Sequence, residues 1–599
     1  MPPSPPSSQP SPQLQQAVTH AQHGRSDQAL ALIRRYLTKK PNDADANNMG
    51  ALLCAQLAQL DQGLYFAERA AKAAPERADV LTTLGKLLQL CGKTENAATT
   101  LERAITLDPS LPDAHMTLGA CLQHTGRLDD AISAMARAVE LRPEHTESRV
   151  NLGLLHLDRG EADLAVDALR EATRLEPASV IAWDTLALAL NYDWRATPQD
   201  VFAAHKRFGE LLERGVRAYR SHANDPNPIR PLRIGYLSRD MRRHSVAYFL
   251  QSILDAHNDD RVETYCYSTT LAPDDMTDRL RSRAGVWRDA GALDDLALAE
   301  KIRSDSIDIL VELSGHFSGH RLPVMALRPA PVQVTYLGYP ATTGLTRIDA
   351  RLCDSHTDPA PAADRLASER LVRLDPCFLG YAPPPEAPSA EEQVSPLPML
   401  EGGHVTFGSF NDLKKLSPPT LDAWAALLER VPGSRLLLKN RGFDTPALRA
   451  RVESMLKERG VSPDRVELIA RIPSMREHLD LYARVDLALE TFPYHGTTTT
   501  CEAAWMGVPT LTIAGDAHAS RVGVSLLSAL GLPELIATDP TDYVTRGAEL
   551  VSDPGSLGDM RSGLRRRMSE SPLCDHASFA RRLEGAYHTM FTDWCGSAR

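Results

Sequence analysis

Small apolar residues and helix-breaking residues recur every 34 positions in the first third of the chain, whereas short continuous apolar runs dominate the remainder. One register of small residues consists of Ala29, Gly63, Ala97, Ala131 and Ala165. Glycines and prolines keep the same spacing, in the registers Gly85, Gly119, Gly153; Gly92, Gly126, Gly160; and Pro41, Pro75, Pro109, Pro143, Pro177. This pattern predicts paired helices that cross closely at the small residues, turn at a glycine and end at a proline.

The 34-residue period resembles the tetratricopeptide repeat over residues 13–195. The resemblance implies an all-α superhelix in which stacked repeats share one core and enclose a concave groove. We interpret the groove as a binding surface for extended segments of protein substrates; a spacer or a homodimerisation arm is the alternative. Residues 1–12, rich in Pro and Ser, are predicted to be a disordered tail, and residues 196–230 a connector.

From Arg233 onward, short apolar runs alternate with helical patterns. The apolar runs are 233–238, 262–267, 307–311 and 332–337 within residues 231–380, and 405–410, 435–439, 465–469, 485–489 and 509–513 within residues 403–599. Continuous apolar strands separated by helices predict parallel sheets that are covered on both faces. We therefore predict an α/β region of two Rossmann-like lobes, joined by a Pro-rich linker at 381–402. Ligands are expected at the carboxyl ends of the strands.

Composition narrows the function classes. A net charge of -11 argues against a nucleic-acid-binding surface. The nine cysteines are scattered and include no Cys-x-x-Cys pair, which is typical of reduced thiols. No secretory signal and no run of about 18 apolar residues is present, so we expect a cytoplasmic protein without membrane contact. Neither a Gly-x-Gly-x-x-Gly fingerprint nor a Walker loop occurs, which disfavours nicotinamide enzymes and P-loop NTPases.

His244 is the first candidate for chemistry, because it follows the strand predicted at 233–238. At that place it could act as a general base or bind a phosphate or a hydroxyl group. The neighbouring Arg242 and Arg243 are expected to lower the pKa of the imidazole and favour its neutral form. A structural or solvated loop histidine is the alternative.

A second candidate segment, Asn411 to Lys415, follows the strand predicted at 405–410. It precedes a helix that we expect to begin at Ser417 and Pro418. A lysine at this position could bind a diphosphate leaving group. Two adjacent lysines that are merely solvated are the alternative.

The strongest local signal is the segment 490–502, in which a strand ends, Gly496 makes a turn and Thr497 to Thr500 open a helix. The backbone N–H groups of a helix N-terminus carry partial positive charge and suit a phosphate, and threonine hydroxyls add donors. Helix capping alone is the alternative. Glu502 is placed to accept hydrogen bonds from a ribose or to complement the helix dipole.

Together these segments resemble the family of SPINDLY and the O-GlcNAc transferases, in which tetratricopeptide repeats precede a split GT-B glycosyltransferase. The resemblance covers nearly all of the chain after the tail, and its most specific stretches are 326–334, 337–345, 407–411 with Lys415, and the threonine segment through Glu502. It implies an inverting transfer of a sugar from a nucleoside diphosphate to Ser or Thr hydroxyls, without a metal or other cofactor. It also implies two catalytic residues, His244 and Lys415, and a set that binds the nucleotide sugar: Asn411, Asp412, His478, Thr497, Thr498, Thr499 and Glu502.

Three departures from the animal O-GlcNAc transferases match the SPINDLY branch instead. Thr497 and Glu502 stand where those enzymes have a His and an Asp, and Asp412 stands where they have a Gln. Ser245, not a Pro, follows His244. The SPINDLY branch is similar to protein O-fucosyltransferases that use GDP-fucose, so the resemblance leaves UDP-GlcNAc and GDP-fucose as donors.

Two other functions remain open from the sequence. One is a repeat-based scaffold whose transferase lobes have lost activity. The other is a glycosyltransferase that acts on a polysaccharide or a lipid, which predicts that deletion of residues 1–195 leaves activity intact.

Overall fold

A computed structural model of the protein describes residues 12–597, and the first part of this range consists of helices. The helices before the first strand are α1 (Pro12–Gln22), α2 (Ser26–Lys39), α3 (Ala44–Gln56), α4 (Leu60–Ala73), α5 (Ala78–Leu90), α6 (Thr94–Leu107), α7 (Pro112–His124), α8 (Leu128–Leu141), α9 (Thr146–Asp158), α10 (Ala162–Leu175), α11 (Val180–Leu190) and α12 (Pro198–Gly215). They follow one another as helix pairs, as the 34-residue spacing predicts. The predicted disordered tail, residues 1–12, lies outside the described residues except for Pro12.

The turn and contact residues of the repeats adopt the predicted conformations. Gly92 and Gly126 have φ angles of 74° and 77°, in the left-handed region where a residue with a Cβ is strained. A Cβ on Gly85 of α5 would lie 2.5 Å from the side chain of Leu101 in α6, closer than carbon atoms pack. The prediction of tightly crossing helix pairs is therefore confirmed.

The chain divides after His156 into two compact units, and α12 belongs to the second. This helix occupies much of the segment 196–230, which was expected to be a connector. Its Phe208 is buried in an apolar core that it shares with the lobe that follows. The backbones also approach closely, since a Cβ on Gly209 would lie 2.0 Å from the carbonyl oxygen of Gly344. About half of this segment is thus a helix that packs on the first lobe.

The first lobe is built on a seven-stranded parallel sheet with the order β3-β2-β1-β4-β5-β6-β7. Its strands are β1 (Leu232–Ser238), β2 (Val262–Ser268), β3 (Val286–Asp289), β4 (Ile309–Glu312), β5 (Val332–Thr335), β6 (Ala350–Cys353) and β7 (Arg370–Arg373). The helices in this part of the chain are α13 (Ser245–Ala256), α14 (Asp275–Arg281), α15 (Asp295–Ser304) and α16 (Leu322–Leu327).

The second lobe is built on a six-stranded parallel sheet with the order β10-β9-β8-β11-β12-β13. Its strands are β8 (Thr406–Ser409), β9 (Arg435–Lys439), β10 (Val466–Ile469), β11 (Leu487–Leu489), β12 (Thr510–Ile513) and β13 (Ile536–Ala537). The remaining helices are α17 (Met399–Gly402), α18 (Pro418–Arg430), α19 (Pro446–Lys457), α20 (Met475–Asp480), α21 (Thr498–Trp505), α22 (Val522–Ala529), α23 (Pro540–Ser552), α24 (Pro554–Ser569) and α25 (His576–Ser597).

Each sheet has one point at which the chain order reverses. In the first lobe this point lies between β1 and β4, and in the second it lies between β8 and β11. In open parallel sheets, ligands bind in the crevice outside the carboxyl ends of the strands at such a point. The loops after these four strands are therefore where the fold favours a ligand site.

Two segments connect the lobes, namely the Pro-rich segment 381–402, which is the direct chain path, and the last helix. The last helix, α25, returns to the first lobe, where the hydroxyl of Tyr587 lies 3.4 Å from that of Tyr236. The Pro-rich segment 381–402 lies along the second lobe, since the Trp505 Nε1–H donates to the carbonyl of Pro388 at 2.9 Å. The segment predicted as the second lobe, 403–599, thus ends in a helix that packs on the first.

The apolar runs of the sequence predict most of the two sheets, and each of the nine runs overlaps an observed strand. Four strands were missed, namely β3, β6, β7 and β13. They have at most four residues, and β3 (Val-Trp-Arg-Asp) and β7 (Arg-Leu-Val-Arg) carry charged residues, so no continuous apolar run marks them. Within the described residues, no helix is both long and apolar enough to cross a bilayer.

Candidate active site

A cavity of about 420 Å³ lies between the two lobes, at the carboxyl ends of their strands. The first lobe contributes the loops after β1, β4 and β5, and the second contributes the loops after β8, β9 and β11. The residues that line it are Tyr192, His244, Ser245, Val246, Phe249, Phe317, Leu337, Gly338, Asn411, Asp412, Lys414, Lys415, Arg441, Tyr494, Thr497, Thr498 and Thr499. The cavity thus occupies the switch points of both sheets, where the fold favours a ligand.

His244 immediately precedes α13 and faces the cavity. Its Nδ1 accepts a hydrogen bond from the backbone N–H of Val246 at 3.3 Å, so the neutral ring carries its proton on Nε2. Burial is the main reason why the pKa of His244 is lowered; Asp240 opposes the shift and Arg242 adds to it. Arg243, which was also expected to lower this pKa, is paired with Asp275 instead. In this arrangement Nε2 can donate a hydrogen bond to an oxygen atom in the cavity.

Lys415 is held at the opposite side of the cavity by the second lobe. Its Nζ donates to the carbonyl oxygen of His495 at 2.7 Å and lies 4.3 Å from the centroid of the Tyr494 ring. Burial lowers the pKa of Lys415 to about 8, although Glu490 and Asp412 favour the charged form. A partly desolvated ammonium group interacts strongly with any anion that enters the cavity.

The threonine segment opens α21 toward the cavity. Thr497 precedes the helix without capping it through its side chain, and the first helical hydrogen bond is the one that the N–H of Cys501 donates to the Thr497 carbonyl. The N–H groups of the first turn are therefore available to a ligand. The buried hydroxyl of Thr498 has no hydrogen-bond partner among the described residues. Capping by the threonine side chain, the alternative considered for this segment, is not what the structure shows.

Glu490, at the end of β11, organises this part of the cavity. Its carboxylate accepts hydrogen bonds from Asn411 Nδ2 (2.9 Å), the N–H of Gly496 (2.8 Å) and the hydroxyl of Thr500 (2.8 Å). Burial raises the pKa of Glu490, while the Gly496 N–H and the charge of Lys415 act in the opposite direction. Glu490 thus ties the loop after β8 to the loop after β11, and it lies in full burial.

Gly496 allows these loops to approach each other. A Cβ at this position would lie 2.1 Å from Thr499 Oγ1 and 2.8 Å from Asn411 Oδ1. The Thr499 hydroxyl itself donates to Asn411 Oδ1 at 3.2 Å. Asn411 therefore takes part in the framework of the site as well as lining the cavity.

Tyr192 comes from the end of the helical repeats and completes the wall beside Lys415. Its ring stacks on that of Tyr494, with centroids 4.7 Å apart and planes inclined by 15°. Nearby, Lys414 forms an ion pair of 2.7 Å with Asp158, which ends α9. The last repeats of the array are thus part of the structure around Lys415.

His478 and Glu502 do not line the cavity. They form a buried pair in which His478 Nε2 lies 3.1 Å from Glu502 Oε2, and the Tyr482 hydroxyl lies 3.4 Å from the same oxygen. His478 Nδ1 is buried without a partner among the described residues. The expected contacts of His478 with a nucleotide base and of Glu502 with a ribose stay predictions.

The structure brings most of the proposed site residues together around one cavity: His244, Asn411, Asp412, Lys415, Thr497, Thr498 and Thr499. Sequence reasoning missed Tyr192, Phe317 and Arg441 as lining residues and Glu490 as the organiser of the loops. A charged residue directly after a buried strand was the available signal for Glu490. No signal marked Tyr192, because its role depends on how the repeats pack on the lobes.

Within residues 12–597, no group of three or more His, Cys, Asp or Glu side chains is arranged to hold a metal ion.

Known families match both parts of the chain. The model of glycosyl transferase family 41 matches residues 210–380 and 397–583. Tetratricopeptide-repeat models match residues 10–35, 83–146 and 122–180. The helical repeats, the two parallel-sheet lobes and the cavity between them define a GT-B glycosyltransferase fold that follows a tetratricopeptide-repeat array. The chain belongs to glycosyl transferase family 41.

Individual relatives agree with this family. A protein of Solanum lycopersicum, named a probable UDP-N-acetylglucosamine–peptide N-acetylglucosaminyltransferase SPINDLY, is 43% identical over 412 residues, which are 68% of this chain and 44% of the relative. The Arabidopsis thaliana protein named SEC, a probable enzyme of the same description, is 32% identical over 374 residues, 61% of this chain and 37% of the relative. The chain thus spans less than half the length of these curated relatives.

A solved structure matches nearly the whole chain. It is that of a mutant of the Thermobaculum terrenum O-GlcNAc transferase, with a TM-score of 0.78 and 36% sequence identity. The match covers 87% of this chain and 98% of the other. The predicted fold and the predicted resemblance to the SPINDLY and O-GlcNAc transferase family are therefore confirmed.

Proposed function

We propose that this protein is a protein O-glycosyltransferase, which transfers a sugar from a nucleoside diphosphate sugar to Ser or Thr hydroxyls with inversion. The observation that carries the proposal is the meeting of two switch points at one cavity. His244 comes from one lobe, and Lys415 and the open helix terminus at Thr497 come from the other. The printed names of the relatives, which describe peptide N-acetylglucosaminyltransferases, support the same reaction class.

The second lobe would stabilise the leaving group. When the bond between the sugar and the diphosphate breaks, negative charge develops on the phosphate oxygens. The Lys415 ammonium and the N–H groups of the first turn of α21 are fixed donors that can meet this charge. Donors that are already in place before the reaction need no reorganisation, which makes their contribution to catalysis large.

The first lobe would position the acceptor. His244 presents Nε2–H to the cavity and can donate a hydrogen bond to an oxygen of the donor sugar or of the acceptor. To accept the proton of a Ser or Thr hydroxyl, the ring would first have to exchange its tautomer and release the N–H of Val246. This geometry supports a binding role for His244 in the state that the structure shows.

The donor is the finer part of the proposal. The printed names of the relatives favour UDP-GlcNAc. Thr497 and Glu502 instead follow the pattern of the SPINDLY branch, whose resemblance to protein O-fucosyltransferases favours GDP-fucose. Both donors share the diphosphate that Lys415 would meet. We further propose that protein acceptors are held by the repeat groove and that turnover needs no added metal ion.

A direct test uses the full chain with each donor in turn, in the presence of a chelator, and a mixture of Ser- and Thr-containing peptides. We expect peptide modification from one donor, detected by mass spectrometry, and calorimetric binding of the matching nucleoside diphosphate. Binding of neither UDP nor GDP would show that the lobes serve as a scaffold. Donor turnover that modifies glycan or lipid acceptors but no peptide would overturn the protein-acceptor part.

The pH dependence of turnover offers a separate prediction. Lys415 can stabilise the leaving group only while it is protonated, and in the free protein its pKa is about 8. We therefore expect kcat/KM, which reports on the free enzyme, to fall by about tenfold per pH unit above that value. The limb of kcat should lie at higher pH, because a bound diphosphate favours the charged lysine. A flat kcat/KM profile from pH 7 to 10 would contradict the role of Lys415.

A further inference from the structure

A buried polar network joins the last repeat helix to the loop after β4. Asp184, on α11, places its two carboxylate oxygens against two histidines of this loop. Its Oδ1 lies 2.6 Å from His316 Nδ1, and its Oδ2 lies 3.0 Å from His320 Nε2. Burial alone would raise the pKa of Asp184, but the hydrogen bonds from His316 and His320 hold it well below its usual value.

Each ring has a second partner besides Asp184. His316 Nε2 lies 3.0 Å from the carbonyl oxygen of Thr343, so both nitrogens of this ring face acceptor oxygens. His320 accepts from the N–H of Leu322 at Nδ1 and donates from Nε2 to Asp184. Asp184 thus has two imidazole partners in a site where an unpaired buried carboxylate would be costly.

Both histidines flank a residue of the cavity wall. Phe317 lies between them in the chain, and its side chain lines the cavity opposite the loops of the second lobe. Its ring meets that of Tyr339 edge to face, with centroids 5.4 Å apart. Tyr339 is in turn anchored by α12 and the end of α11, because its hydroxyl lies 2.8 Å from His205 Nε2 and accepts from Asn191 Nδ2 at 2.9 Å.

The loop 313–321 contains two glycines, so its conformation depends on contacts with other residues. Gly315 and Gly319 have positive φ angles of 51° and 79°, a conformation that glycine adopts without strain but that its own backbone does not enforce. The carboxylate of Glu312 accepts from the N–H groups of Ser314 and Gly315 and so fixes the start of the loop. The part that bears Phe317 is held by the contacts of Asp184, by turn hydrogen bonds within the loop and by Arg239, whose Nη1 donates to the Ser318 carbonyl at 3.2 Å.

We propose that Asp184 is a positioning residue of the transfer reaction: from the last repeat helix, it holds the loop 313–321 so that Phe317 forms the acceptor-side wall of the cavity. The inference rests on the proposed function, because it assigns the wall to the transfer step. Through the contacts of Asp184 with His316 and His320, the last repeat helix would then support the transfer step. Asp184, His316 and His320 all lie outside the second lobe, where the diphosphate is proposed to bind.

The test compares Asp184→Asn with the wild-type full chain. The asparagine keeps one oxygen but presents an N–H group to the second histidine, so one of the two contacts is lost. We expect kcat for peptide modification to fall by ~10-fold or more, since misplacing a group by about 1 Å can cost that much. The affinity for UDP or GDP, measured by calorimetry, should stay at the wild-type value. Asp184→Glu, which keeps the carboxylate, should recover part of the loss.

Hydrogen exchange provides a readout that does not require activity. In Asp184→Asn, the peptide that covers residues 313–321 should exchange faster, while the peptide that covers Thr497 to Thr500 should not change. Asp167→Asn is the matched control, because Asp167 forms a surface pair with Arg195. This control should match the wild type in both peptides.

A double-mutant cycle identifies the route of the effect. If Asp184 acts through His316, the kinetic losses of Asp184→Asn and His316→Gln should be far from additive in the double variant. Additive losses would overturn the proposed route. Two results in Asp184→Asn would overturn the whole inference. One is unchanged hydrogen exchange together with unchanged kcat. The other is faster exchange throughout the chain together with loss of nucleotide binding. If the wild type uses neither donor, the proposed function fails, and the exchange data alone still decide whether Asp184 holds the loop.

Discussion

Replacement of Lys415 by alanine should lower the turnover of the nucleotide sugar by ~10²-fold or more and leave the fold intact, by analogy with the removal of one fixed donor to a developing oxyanion. The side chain contacts the His495 carbonyl and the face of Tyr494 but fills no apolar core. Lys415 also compensates the charge of the buried Glu490 carboxylate, and loss of one partner of a buried charge pair is destabilising, so the thermal unfolding temperature should fall while the fold is kept. Single-turnover kinetics with a saturating donor would isolate the chemical step from binding.

The control for this variant is Lys457→Ala, which removes an exposed lysine at the end of α19 in the same lobe. It should turn over at the wild-type rate. Lys415→Arg keeps the charge but not the shape and should recover only part of the activity. Near-normal turnover by a correctly folded Lys415→Ala would falsify the leaving-group role.

The second large effect is expected from Glu490→Gln. A glutamine offers one acceptor oxygen and one donor group to a site where Asn411, Gly496 and Thr500 all donate. At least one of these groups would lose its acceptor, which costs about 1–3 kcal/mol when the group is buried. The shifted loops would misplace the start of α21, and we expect turnover to fall by ~10²-fold.

The matched control is Glu467→Gln, since Glu467 forms a half-exposed surface pair with Arg484. Such pairs contribute little, so stability and turnover should stay close to those of the wild type. Circular dichroism melting and donor turnover measure the two effects. A Glu490→Gln variant that melts earlier but turns over normally would show that Glu490 supports the fold and not the geometry of the site.

Much of the fold can be predicted from patterns in the sequence, because these patterns reflect the conformation and burial of neighbouring residues. The 34-residue spacing places Gly92 and Gly126 at turns that only a left-handed residue makes easily. Continuous apolar runs mark strands that are buried on both faces, as in β1 and β4. Edge strands such as β3 and β7 have charged residues and escape this rule. The helix at 198–215 was missed as part of the first lobe, because a helix pattern does not reveal its packing partner.

The site could be predicted where chain topology alone brings residues together. Asn411 and Thr497 follow strands that are neighbours in a parallel sheet, so their loops must meet at one edge. The pairing of His478 with Glu502 depends on the orientation of two short helices, which sequence patterns do not define. The same holds for Asp184, whose partners lie more than a hundred residues away along the chain.

The stack of Tyr192 on Tyr494 limits how the two parts of this protein can be recombined. A deletion or a chimera joined at residue 195 would remove both Tyr192 and Asp184, so it would damage the transferase instead of isolating it. The compact unit that contains the lobes begins at Leu157, before the last helices of the array. An exchange of repeats upstream of that point would replace residues of the first unit while preserving the residues around Lys415. A chimera joined at Leu157 would therefore keep Tyr192 and Asp184 together with the lobes that they contact.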